Sequence, residues 1–118
     1  MPSEGLRYQE PSPLSRTEAE RRLRSDDPAV VCPGLVDVAF YEPDWRWVQE
    51  HCLRLADSVD PNVRGIAATC LGHLARIHRT LDLERALPVL RRLQHDKAVQ
   101  GQADEALDDI GIFIEQAR

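Results

Sequence analysis

Apolar residues recur along most of this chain at three- and four-residue steps, the spacing of helices that bury one face. Residues 60–78 carry the signal most clearly. Asp60 offers a short side-chain oxygen to the free amides of a first turn, and Pro61 suits the first helical position. Val63, Ile66, Ala67, Cys70, Leu71, Leu74 and Ile77 then fall in one stripe. Gly65 and Gly72 lie off it, at roughly 1 kcal/mol each against alanine. Each is either simply tolerated or marks a close approach by another helix or a partner.

The other elements follow from similar signals. Residues 1–13, with Pro2, Gly5, Pro11 and Pro13, read as a flexible lead-in to one domain spanning 14–118. Ser15 and Glu18 have capping-box spacing and predict a polar helix over 15–25, anchored by Leu14, Ala19 and Leu23. Asp27-Pro28 predicts a second helix to Tyr41, burying Val30, Val31, Leu35, Val38 and Ala39. Pro33-Gly34 means that this helix either kinks or starts at Pro33. A third helix, from Pro43-Asp44 to about Ser58, buries Trp45, Val48, Cys52, Leu55 and Val59 and turns Trp47, His51 and Arg54 the other way. The short turn before Asp60 forces it antiparallel to the next helix. Asp82 caps a fifth helix to about Gln94, with a bend expected at Pro88. Asp96 opens a sixth. Its Asp96, Val99, Gly101, Ala103 and Leu107 repeat Asp60, Val63, Gly65, Ala67 and Leu71 at an offset of 36 residues, with breaks at Gln100 and Asp108. Three helix pairs result, over 15–41, 43–78 and 82–115.

The run Asp60-Pro61-x-Val63-Arg64-x-x-Ala67-x-x-x-Leu71-Gly72 resembles the second helix of a HEAT repeat, D-P-x-V-R-x-x-A-x-x-x-L-G. The resemblance implies an all-α fold, a HEAT-like α-α superhelix of about six helices in three antiparallel pairs, with the second helix of each pair lining the concave face. It also gives Arg64 a structural alternative, because in such repeats this arginine often bonds an aspartate of an adjacent turn.

Charge and composition narrow the function. At 118 residues the chain is large enough for one shared core. Its net charge of −5 disfavours a protein whose task is gripping phosphate backbones. No apolar run approaches the ~20 residues that span a bilayer, and no signal-peptide core is seen, so a cytoplasmic protein is expected. Cys32, Cys52 and Cys70 read as small core residues of a reducing compartment.

Catalytic chemistry finds little support. Cys70-x-x-His73 has metal-ligand spacing, with His51 and Cys52 nearby, but the cysteines face the core and the histidines are expected on the surface, so the four do not converge. Asp104 and Asp108 share a helical face, with Glu105 and Asp109 beside them, yet without a histidine or glycine-rich loop nearby in sequence. Cys70 lacks the electropositive setting that activates a thiol. No phosphate-binding or dinucleotide motif occurs. No cofactor, no metal and no enzymatic turnover are implied.

Protein binding remains. The concave face implied by the resemblance nominates Arg64, Thr69, His73 and Arg76, and opposite them Asp104, Glu105, Asp108 and Asp109. Trp47 is a further candidate anchor, set against packing on the preceding helix. Repulsion within the acidic cluster calls for a partner with a basic surface. A small acidic protein of this kind is similar to bacterial immunity proteins, which neutralise a toxin domain by covering its active site. The alternatives are a scaffold, adaptor or maturation factor, a homodimer through exposed aliphatic ends, or a HEAT-like enzyme of the DNA-repair glycosylase or bilin lyase type.

Overall fold

The computed structural model describes residues 11–115. They form α1 (Arg16–Leu23), α2 (Pro28–Tyr41), α3 (Trp45–Leu55), α4 (Pro61–His78), α5 (Leu83–Leu93) and α6 (Gln100–Ile110), which runs on into a π-helical turn, Gly111–Glu115. There is no strand among the described residues. The expected lead-in of residues 1–13 lies mostly outside them; within the described part, the Ser12 amide donates to Asp37 Oδ1 at 2.9 Å.

Local chemistry sets most boundaries. Ser15 accepts from the Glu18 amide at 3.1 Å, Asp27 from Ala29 at 2.9 Å, Asp44 from Trp47 at 3.2 Å and Asp60 from Asn62 at 2.7 Å. The box at Ser15 closes on one side only. Glu18 turns outward to Arg21 and Arg22, whose guanidiniums hold its carboxyl down to about 2. α2 begins at Pro28 and passes through Pro33 without interruption. Pro33 and Ala29 are both exposed, so the Ala29 carbonyl that loses its donor can turn to water. Asp82 stands at the N-cap of α5 but makes no side-chain capping bond. α6 starts at Gln100, later than the sequence predicts. Asp96 makes the same bond two residues on, accepting from the Ala98 amide at 3.0 Å, and also accepts from Arg64, but residues 97–99 form a turn before the α-helix begins.

Consecutive helices pair as α1/α2, α3/α4 and α5/α6, and short connections make each pair antiparallel. The second members, α2, α4 and α6, pack side by side in one layer, with α1, α3 and α5 in the other. The thinnest dimension, 23 Å, is that of two helices. α4 is central, flanked by α2 and α6 and backed by α3. Three neighbours bury a wider arc than one stripe, which corrects the sequence reading: Gly65, Ala68, Gly72 and Ala75 are all buried. A β-carbon on Gly72 would lie 2.8 Å from Asp109 Oδ2 and 3.2 Å from Ala106 Cα. One on Gly65 would lie 3.1 Å from Gln102 Nε2. Both glycines therefore serve the close approach of α6. Two stripe residues escape burial: Ile77 near the open end of α4 is 42% exposed, and Val59, beyond the end of α3, is 96% exposed.

Buried polar groups tie the layers together. Gln49 Oε1 accepts from the Asp82 amide at 3.0 Å, joining α3 to the start of α5. His51, expected at the surface, is buried against α1. Its Nδ1 accepts from Arg54 at 2.7 Å, which places its own proton on Nε2, 3.6 Å from Glu20 Oε2. Cys52 and Cys70 are fully buried, and burial pushes both thiols up from their ordinary range.

Candidate functional site

The exposed side of the layer formed by α2, α4 and α6 carries a groove of about 420 Å³ between α4 and α6. One wall is Thr69, His73 and Arg76; the other is Glu105, Asp108 and Asp109. Helical spacing explains each wall. Thr69, His73 and Arg76 follow at steps of four and three residues on α4, and on α6 Asp108 and Asp109 lie three and four residues after Glu105. Gly72 and Ala106 form the close helix–helix contact beneath them.

His73 is half-buried. Its Nδ1 accepts from Arg76, and its ring lies 4.9 Å from that of Phe40 at the end of α2. Burial lowers its pKa, Arg76 lowers it further, and Asp109 opposes both. His73 is therefore neutral at pH 7. Arg76 Nε reaches Asp109 Oδ2 at 3.9 Å. Glu105 and Asp108 are exposed and have no cationic or hydrogen-bonding side-chain partner among the described residues. The groove thus holds three carboxylates against one guanidinium.

The remaining nominated residues lie elsewhere. Asp104 faces α5, accepting from Gln94 Nε2 at 2.8 Å. Arg64 is enclosed in the fold: its Nε donates to Asp96 Oδ2 at 3.0 Å and its Nη1 to the Ser58 and Val59 carbonyls. Trp47 belongs to the opposite layer. Its Nε1–H donates to Glu20 Oε2 at 3.1 Å, its ring meets His51 edge-on, and Arg16 covers it at 4.1 Å. It packs on α1. Phe40, whose ring lies beside that of the groove residue His73, is one that sequence reasoning passed over. It is 39% exposed beside Tyr41 at 50%, and the only signal was that it falls off the apolar stripe of α2.

Charge distribution separates the two layers. On the outer helices acids and bases pair with one another, as in Glu18 with Arg21 and Arg22, Glu20 with Arg24, and Glu50 with Arg85. On α6, Glu105 and Asp108 have no such cation among the described residues. Among the described residues no three His, Cys, Asp or Glu side chains converge as a metal-holding set, and no helix is long and apolar enough to cross a membrane.

No family model and no curated protein matches the chain. A solved structure does: a chain in the crystal structure of a CDI complex from Cupriavidus taiwanensis LMG 19424, with 37% sequence identity and a TM-score of 0.81. The match covers 91% of this chain and 96% of that one. With more than a third of its residues identical over nearly the full length of both chains, this protein belongs to the same family as that chain of the Cupriavidus CDI complex.

Proposed function

We propose that the chain is a non-catalytic immunity protein that binds a toxin domain and neutralises it in the cytoplasm. The observation that carries the reading is the 37% identity, over nearly its whole length, to a chain found in a CDI complex. The α4/α6 groove is the surface for that contact, because its carboxylates exceed its cations and suit a partner with a basic face. Buried, unactivated thiols fit a binding role in preference to turnover. The layered helix pairs and the 36-residue repeat support reading the scaffold as a short HEAT-type stack.

The test looks for a toxin domain encoded beside this chain, whose absence would count against the reading, and then uses that domain. Co-expression should rescue growth, the two proteins should co-purify, and calorimetry should give one-to-one binding. Growth arrest that persists despite a soluble immunity candidate, with no measurable complex, would reject the reading.

A further inference from the structure

Resting on that reading, we propose that the groove receives an arginine- or lysine-bearing segment of the toxin domain, and that Arg76 is an internal placeholder which this cation displaces. Sequence reasoning nominates Arg76 as a partner contact; its surroundings assign it the opposite role.

Every charged or titratable group facing the groove bears on this. α4 supplies Arg76 and His73, α6 supplies Glu105, Asp108 and Asp109, and the uncharged Phe40 ring of α2 lies against His73. Asp109 rests over Gly72, where the missing side chain leaves it room. Arg76 approaches it only to 3.9 Å, the far limit of an ion pair, and hydrogen-bonds His73. Its side chain is 42% exposed, with an open path to solvent. Such a pair contributes little to the fold and can open. Arg64, by contrast, is held by one carboxylate and two carbonyls and does not move aside.

A second cation entering the groove would meet Glu105 and Asp108, which have no cationic partner among the described residues, and Asp109 shared with Arg76. With Arg76 left in place, two like charges compete for Asp109. Once Arg76 swings outward, the entering group gains all three carboxylates. A guanidinium would also find an aromatic face at Phe40. A divalent metal ion does not suit the groove, because no three ligands converge there among the described residues.

The sign of one substitution distinguishes the two roles. Calorimetry would compare binding of the toxin domain encoded beside this chain to wild type, Arg76→Ala, Arg76→Lys and the double variant Glu105→Lys/Asp108→Lys. Near 50 mM salt, Arg76→Ala should bind about fivefold tighter, Arg76→Lys like wild type, and the double variant at least about thirtyfold weaker. Near 500 mM salt the gain from Arg76→Ala should vanish. Unchanged thermal melting of each variant would show that folding is intact. Weaker binding by Arg76→Ala would make Arg76 a partner contact, and unchanged binding would remove the placeholder role. Full affinity in the double variant would place the interface elsewhere while leaving the immunity reading standing. No binding by wild type would overturn that reading and this inference together.

Discussion

Arg64 and Asp96 join two successive helix pairs: the guanidinium Nε meets the carboxylate at 3.0 Å, and both side chains are largely withdrawn from water. Arg64 simultaneously closes the turn before α4 through the Ser58 and Val59 carbonyls. Arg64→Ala should lower stability by about 2 kcal/mol, since it leaves Asp96 without its cation and two carbonyls without a donor. Arg64→Lys should recover less than half, because lysine lacks the planar fork. Urea denaturation checks both, and partner affinity of the folded variants should not change.

The two glycine environments predict opposite responses. Gly72→Ala would place a methyl 2.8 Å from Asp109 and 3.2 Å from the Ala106 backbone. The resulting displacement of α6 should cost about 2 kcal/mol, more than the roughly 1 kcal/mol that alanine's helix propensity returns. A β-carbon on Gly101 would meet nothing within 4 Å, so Gly101→Ala should stabilise by about 0.5 kcal/mol. The same urea titrations decide between them.

Stability should decline with acid in two stages. His51 and His73 both have folded pKa values held below 6.5, chiefly by burial. As pH falls under 6.5 the unfolded chain takes up protons that the folded one resists, so stability drops until the lowered folded values are passed. Glu18, held at about 2, and Glu20, lowered mainly by Arg24, then add a second decline below 4.5. Urea midpoints measured from pH 8 to pH 3 should show both steps, with His51→Gln shrinking the first.

Trp47→Phe should separate fold from recognition. It removes the bond to Glu20 and weakens the cover by Arg16, loosening α1 from α3. A fall in melting temperature of about 3 to 5 °C is expected. Affinity for the toxin domain should stay at the wild-type value, since the groove lies on the other layer. Calorimetry on the folded variant supplies that comparison.

The helices were legible wherever their signals are local. Asp27-Pro28 and Asp60-Pro61 mark helix starts that the structure places at Pro28 and Pro61. The start of α6 was not legible, because Asp96 makes the same bond as the other starts but is followed by a turn over residues 97–99 before the helix begins at Gln100. His51 was misplaced because its burial comes from α1, distant in sequence, whose Glu20 lies 3.6 Å from its ring. The convergence of Thr69, His73 and Arg76 with Glu105, Asp108 and Asp109 followed from helix spacing plus the resemblance that set the two helices side by side. Spacing alone does not distinguish Arg64, enclosed by loop carbonyls, from Arg76, which is exposed. Nor does it show that Asp104 turns toward Gln94.

On α6, Ala103, Ala106 and Ile110 are buried while Glu105 and Asp108 are exposed, and the two sets alternate along the same two turns. The residues that hold the helix down are thus not those that meet a visitor. Substitutions at 105 and 108 carry little penalty for folding, so the surface of the groove can change while the frame stays as it is. The acidic wall behaves as a rewritable label on a fixed support.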